Sequence, residues 1–198
     1  MSEVVVIDSG GANLASLKFA LGRIGARARF TTDAQDIRNA ERVLLPGVGA
    51  AGATMQRLQN LGLVPVIKSL NCPLLGICLG MQILFEHSEE GDTPCLGILP
   101  GKIKRLHPTI GLPVPHMGWN TLEQSGADPL LEGFPSSAYF YFVHSYAAEK
   151  NANTIAISKY GGPLTAVVRR ANFYGVQFHP ERSSAAGSKV LDNFLKLK

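Results

Sequence analysis

Cys78 stands between two glycines in Gly76-Ile77-Cys78-Leu79-Gly80, directly after the apolar residues 73–77 and before residues 81–87, whose pattern predicts a helix. Sulfur at a sharp strand-to-helix turn is the layout of a nucleophile elbow. The turn holds the nucleophile in a strained backbone conformation and closes only where its flanking residues leave room. The cysteine is then expected at a helix N-terminus, exposed toward substrate, where unpaired amides and the positive end of the helix dipole favour the thiolate that attacks carbon. A cysteine in an arbitrary apolar setting more often packs as a small hydrophobe. The flanking glycines and the strand-helix setting argue against that here.

A thiolate nucleophile needs a base, and the chain offers His87, His107, His116, His144 and His179. His179 has the best surroundings: it ends the strand-like run Tyr174-Gly175-Val176-Gln177-Phe178 and is followed by Pro180 and Glu181. Residues two apart on extended backbone point the same way, so the Glu181 carboxylate is predicted to orient the imidazole and stabilise its charged form. Acyl transfer also needs donors for an oxyanion. The backbone amide of Leu79 is one, and the glycine-rich Pro46-Gly47-Val48-Gly49, after a strand-like run, is the candidate for a second. The stretch from Gly47 to Gly52 also fits Gly-x-Gly-x-x-Gly. It lies outside the first strand-helix unit, however, and lacks the acidic residue about 20 positions on that a dinucleotide site needs. No metal is expected, because His116, His144 and His179 are far apart in sequence and Cys72 and Cys95 lack partners at zinc spacing.

The elements that must position these groups alternate in the first half of the chain. Residues 4–8, 27–31, 42–45 and 73–77 read as strands. Residues 13–24 read as a helix, and 51–70 as one or two helices interrupted near 63–65. Continuous apolar strands separated by helices predict a parallel sheet covered on both faces, with ligands beyond the carboxyl ends of its strands. After about residue 97 shorter strand candidates follow at 98–106, 119–123, 139–146, 154–159, 164–170 and 173–178, and a closing helix at 184–197. The expected architecture is α/β: a mostly parallel central sheet flanked by helices, with antiparallel strands added in the C-terminal half, as one domain over 1–198.

Composition narrows the function. The 198 residues are 45% hydrophobic and 17% charged, enough for a well-cored protein. The net charge of +4 comes from scattered basic residues without an aromatic-interleaved stripe, which argues against nucleic-acid binding. Neither a signal-peptide pattern nor an apolar run near the ~20 residues of a membrane span is evident. Three cysteines at irregular spacing argue against a disulfide framework and for a reducing cytoplasm.

Taken together, Gly76-Ile77-Cys78-Leu79-Gly80-Met81-Gln82 and Val176-Gln177-Phe178-His179-Pro180-Glu181 resemble the triad-type (class I) glutamine amidotransferases, over nearly the whole chain. Three further segments are similar to the glutaminase subunits of imidazole glycerol phosphate synthases in histidine biosynthesis. They are Asp8-Ser9-Gly10-Gly11-Ala12-Asn13-Leu14, Pro115-His116-Met117-Gly118-Trp119-Asn120 and Tyr141-Phe142-Val143-His144-Ser145-Tyr146. The resemblance implies a flavodoxin-like core and a mechanism without cofactor. Cys78 would attack the side-chain amide of L-glutamine, His179 would protonate the departing ammonia and Glu181 would hold His179. Gly49, Gln82, Glu90, His144, Ser145 and Tyr146 would bind glutamine, and Leu79 with Gly47 or Val48 would meet the oxyanion. It also implies a heterodimer with a (β/α)8-barrel cyclase subunit that uses the ammonia, contacted near Asn13, Met117, Trp119 and Tyr141, and a Gly47-Val48 loop that reorients when the partner binds ligand. Trp119 and Tyr141 would serve equally as core aromatics. Competing readings are an amidotransferase subunit of another pathway, a binding protein without turnover and a stand-alone cysteine peptidase.

Overall fold

The computed structural model describes residues 3–9, 14–108 and 110–197. Its first half alternates as the apolar runs require: β1 (Glu3–Ile7), α1 (Leu14–Arg23), β2 (Arg27–Thr31), α2 (Ala34–Arg38), β3 (Val43–Gly47), α3 (Ala51–Asn60), α4 (Leu63–Lys68), β4 (Leu74–Cys78) and the single turn α5 (Leu79–Gln82). Short strands dominate thereafter: β5 (His87–Ser88), β6 (Thr93–Pro94), β7 (Lys102–Arg105), β8 (His116–Thr121), β9 (Glu123–Gln124), β10 (Tyr139–His144), β11 (Tyr146–Ala148), β12 (Thr154–Lys159), β13 (Pro163–Arg170) and β14 (Phe173–Val176). Helix α6 (Ser184–Lys196) follows.

The main sheet has eight strands in the order β2-β1-β3-β4-β14-β13-β12-β9. From β2 to β14 all neighbours are parallel, and β13, β12 and β9 extend the sheet antiparallel. Alternating side chains feed two cores. Val4, Val6, Leu44, Leu75 and Ile77 pack with Leu17 and Leu21 of α1 and Val190, Leu191 and Phe194 of α6. Val5, Ile7, Val43, Leu45 and Leu74 pack with Ile37, Met55, Leu58, Val66 and Ile67 of α2, α3 and α4. Both faces are buried, which is why these strands read as unbroken apolar runs. Each fully buried Leu, Ile or Val contributes roughly 1.5–3 kcal/mol, so the sheet is a stiff platform.

That platform determines what meets at its carboxyl edge. Although β14 comes from the end of the chain, it pairs with β4 in the register Val176↔Ile77, and β3 pairs on the other side with Gly47↔Cys78. The segments leaving β3, β4 and β14 therefore emerge side by side. Smaller sheets stand beside this edge: the antiparallel pair β10-β8 and the sheet β11-β7-β5-β6.

Several expectations change. The helix over 81–87 does not form; α5 ends after one turn. The carbonyls a second turn would use are taken from outside, since Leu96 N–H donates to Ile83 O, Ile98 and Leu99 to Leu84 O, and Gly97 to Phe85 O. The run at 98–106 pairs only from Lys102 onward. The run at 139–146 splits at Ser145, because β10 pairs with β8 whereas β11 pairs with β7. Helix α2 was not anticipated, although Asp33 caps it through bonds from Gln35 and Asp36 N–H. At the end of α6 Leu197 is buried and its carbonyl accepts from Arg42 Nε and Nη2 at 3.1 and 2.9 Å, while the exposed Lys196 pairs with Asp192. Among the described residues, no helix is long and apolar enough to cross a membrane.

Candidate active site

Cys78 adopts φ 53° and ψ −111°, a conformation that costs a non-glycine residue on the order of 1–3 kcal/mol. Packing on both sides enforces it. A Cβ on Gly76 would stand 2.6 Å from the Gly80 carbonyl oxygen, and one on Gly80 would stand 1.8 Å from the Leu45 carbonyl oxygen. The elbow thus closes on its own helix turn and on the neighbouring strand at once, and any side chain at either position would force it open. Two expectations change here. Cys78 is 8% exposed rather than freely open, and its sulfur lies 3.9 Å from the Val143 carbonyl of β10. With only one helical turn behind it, the contribution of α5 comes from its first amides rather than from a long dipole.

The sulfur lies at the floor of a cleft of about 690 Å³ lined by Val48, Gly49, Leu79, Gln82, Glu90, Val143, His144, Ser145, Tyr146, His179 and Arg182, among others. That volume accommodates an amino acid. His179 reaches the sulfur from the segment after β14, and its Nδ1 is 2.8 Å from Glu181 Oε1, which leaves Nε2 for Cys78. The pair forms differently from the expectation. Strand β14 ends at Val176 and His179 is still extended, but Glu181 is brought round by a 3-10 turn at Pro180–Arg182, with proline at the first position where its missing N–H costs nothing. A Cβ on Gly187 would stand 1.8 Å from the Pro180 carbonyl oxygen, so α6 buttresses this turn closely. The His179 N–H donates to Tyr141 O at 2.9 Å. Ser183 Oγ donates to His179 O at 2.7 Å and accepts from Tyr141 N–H at 2.9 Å, which ties the imidazole's backbone to β10.

Burial opposes the charged form of His179, but the bonds to the Cys78 sulfur and the Glu181 carboxylate outweigh it and raise the imidazole to about 10. Cys72 and Cys95 lie elsewhere; burial raises both thiols, that of Cys95 to about 11, so neither is a ready nucleophile.

The remaining predicted residues separate by environment. Val48, Gly49 and Leu79 line the cleft, whereas Gly47 is buried beneath it, where a Cβ would stand 2.6 Å from Gly80 N. Ser9 Oγ donates to Pro46 O at 2.7 Å and fixes the start of that loop. Glu90 lines the cleft with one carboxylate oxygen already accepting from Ala51 N–H at 2.7 Å. Gln82 Nε2 donates to Tyr146 O at 2.8 Å and to Gln177 Oε1 at 2.9 Å, and Gln177 Nε2 lies 3.7 Å from Cys78 Sγ. His144 Nδ1 is 2.9 Å from the same Tyr146 carbonyl, so that nitrogen carries the proton. His144 Nε2 then accepts from His116 Nδ1 at 3.0 Å. Burial lowers these imidazoles to about 3 and about 4 respectively.

Met117 and Trp119 are 62% and 53% exposed, so Trp119 is not a core aromatic. They share the outer face of the β8–β10 pair with Tyr139 and the half-buried Tyr141. Trp119 meets Tyr141 edge-on at 5.9 Å, and the Arg182 guanidinium lies 5.0 Å over the Tyr141 ring. Asn13 lies outside the described residues. His87, without an assigned role in the sequence, pairs through Nε2 with Asp92 Oδ1 at 2.9 Å and closes the β5–β6 loop. Sequence reasoning missed Ser9, His116, Gln177 and Ser183 as site-supporting groups. His116 and Gln177 lie inside segments already singled out, and Ser183 stands two positions beyond Glu181; what was lacking was the bonding, which local pattern does not carry.

The class-I glutamine amidotransferase family model matches residues 5–197, and the chain belongs to that family. Within it, the chain is 52% identical over 197 residues to the imidazole glycerol phosphate synthase subunit HisH of Xanthomonas oryzae pv. oryzae and equally to that of Xylella fastidiosa strain Temecula1. Each match covers 100% of this chain and 98% of the relative. Solved structures share the fold at lower identity. The crystal structure of a glutamine amidotransferase superposes with TM-score 0.75 at 20% identity, over 98% of this chain and 97% of that one. PurLQS from Thermotoga maritima superposes with TM-score 0.72 at 20% identity, over 98% of each chain.

Proposed function

We propose that this chain is the glutaminase subunit of an imidazole glycerol phosphate synthase: it hydrolyses L-glutamine to glutamate and delivers the ammonia to a cyclase subunit. The observation that carries the proposal is the strained Cys78, in hydrogen-bonding reach of a His179 held by Glu181, at the floor of an amino-acid-sized cleft. The HisH relatives supply the pathway.

In this reading Cys78 gives its proton to His179 Nε2, and the thiolate adds to the side-chain amide carbon of glutamine. The oxyanion is met by the Leu79 amide and by an amide of Gly47 or Val48. Collapse breaks the C–N bond, and the His179 proton leaves with nitrogen as ammonia. His179 then takes a proton from water, the resulting hydroxide opens the thioester, and the proton returns to sulfur as glutamate leaves. Glu181 keeps the Nδ1 proton in place throughout. Gly49, Gln82, Glu90 and the segment His144-Ser145-Tyr146 hold the amino acid, with no cofactor.

The partner in this proposal is a (β/α)8-barrel cyclase in a heterodimer, seated on the outer face of Met117, Trp119 and Tyr141, with Asn13 as a further contact by the family resemblance alone. An exposed tryptophan against a half-buried tyrosine, beside a cation, suits such an anchor. The unit is one amidotransferase domain over 1–198, working in the cytoplasm. Glutamine hydrolysis is to be measured for the chain alone, with the cyclase, and with the cyclase and its ligand. A stepwise increase is expected; equal rates in all three would remove the partner-dependent part. Cys78→Ala is expected to abolish glutamine-dependent synthesis and spare ammonia-dependent synthesis.

A further inference from the structure

One backbone carbonyl, that of Tyr146, fixes the orientation of a side-chain amide several bonds away. A carbonyl oxygen only accepts, so the Gln82 atom 2.8 Å from it is the amide nitrogen. That nitrogen's second hydrogen points to Gln177 at 2.9 Å, so the Gln177 atom there is the oxygen. The Gln177 nitrogen then has one place to be, 3.7 Å from Cys78 Sγ. Donor and acceptor counting alone therefore fixes the orientation of both amides. Gln177 is 1% exposed and Gln82 4%, so water does not compete for these bonds. The same Tyr146 oxygen fixes the His144 tautomer, so it anchors two side-chain networks.

The sulfur's other neighbours make this donor consequential. Val143 O lies 3.9 Å from Sγ, a carbonyl that can accept from a thiol but only repels a thiolate. Loss of the proton to His179 therefore leaves an anion with a carbonyl on one side, and a fixed N–H is needed to hold it where attack begins.

We propose that the Gln177 side-chain amide, locked by Gln82 and Tyr146, donates a hydrogen bond to the Cys78 thiolate and serves as a second holder of the nucleophile beside His179. The inference rests on the proposed role of Cys78 and assigns Gln177 a part in the chemistry rather than in core packing. Gln177→Glu keeps shape and the Gln82 bond but turns an oxygen toward sulfur. Gln177→Met keeps volume and removes the donor without adding charge.

The test is the rate at which iodoacetamide alkylates Cys78 in the full chain, followed by mass spectrometry of the Cys78, Cys72 and Cys95 peptides across pH 5 to 10. Alkylation replaces iodide by the thiolate sulfur and needs neither glutamine nor partner. At pH 7 Gln177→Met is expected to react about tenfold more slowly than the unsubstituted chain and Gln177→Glu more slowly still. Both deficits are expected to shrink as pH rises, because a weaker anion site is filled by raising pH whereas a packing defect is not. Unchanged profiles, or Met slower than Glu, would overturn the inference. If Cys78 in the unsubstituted chain reacts no faster than Cys72 and Cys95, it is the nucleophile assignment that fails. Should neither variant fold, the Gln177 side-chain amide protons of the 15N-labelled unsubstituted chain must titrate in step with Cys78 alkylation; invariance over that range overturns the proposal.

Discussion

Two buried imidazole sites face the same cleft and behave in opposite ways. His179 is raised to about 10, whereas His144 and His116 are lowered to about 3 and about 4. Burial disfavours the cation at all three. The difference is the company: His179 has the Cys78 sulfur and the Glu181 carboxylate, while His144 and His116 have each other, one carbonyl and an amide. One region is therefore built to carry a proton through a reaction, and the other is a neutral hydrogen-bonded wall whose tautomers are fixed.

Removing the carboxylate tests that difference most severely. Glu181→Gln makes the surroundings of His179 more like those of His144, and its amide can donate to Nδ1 and favour the wrong tautomer. Glutamine hydrolysis with the partner present is expected to fall on the order of 10³-fold, read as kcat at saturating glutamine. Ser183→Ala removes the hydroxyl that joins His179 O to Tyr141 N–H, which strips the Tyr141 N–H of that acceptor and leaves His179 O with the Arg182 N–H at 3.0 Å. A loss of about 1–3 kcal/mol in urea unfolding is expected, with a smaller fall in kcat than for Glu181→Gln.

The two regions also diverge with pH. His144 and His116 have folded values below the ordinary imidazole value of 6.5, so the unfolded chain binds more protons and their contribution, complete above 6.5, is lost as pH falls toward 4 and 3. His179 has a raised folded value, so its contribution is complete below 6.5 and is lost as pH rises through about 10. Urea midpoints of His116→Phe, which keeps a ring between Phe142 and Tyr160, are expected to show a shallower acid-side slope and an unchanged alkaline side. The smallest effect on the isolated chain belongs to Trp119→Ala. Its exposed ring predicts a stability change within about 0.5 kcal/mol, yet partner binding measured by calorimetry is expected to weaken by about 2 kcal/mol.

How far the sequence could be read follows from the same division. The inner parallel strands β1, β3 and β4 were legible because strands buried on both faces must be apolar; the edge strand β2, with no buried residue, and β12, at 154–159, were bounded as expected without that mark. The elbow was legible because close backbone approach at Gly76 and Gly80 leaves a mark in residue type. What escaped lacks such a mark. Ile83, Leu84 and Phe85 are buried in succession, so their pattern fits a helix, and only the returning 95–99 segment decides otherwise. The Glu181 carboxylate was expected beside His179, where it lies, but by the wrong backbone: a 3-10 turn brings it there in place of extended chain. Gln177 and His116 were visible as letters within notable segments, but their bonds run to residues distant in the chain.

The central claim is that Cys78 is the nucleophile toward glutamine. A glutamine-derived chloroketone incubated with the partner-bound protein, followed by peptide mass spectrometry, tests it directly. The prediction is one label, on the Cys78 peptide, prevented by excess glutamine and absent in Cys78→Ala. A label on Cys72 or Cys95, or none at all, would contradict it.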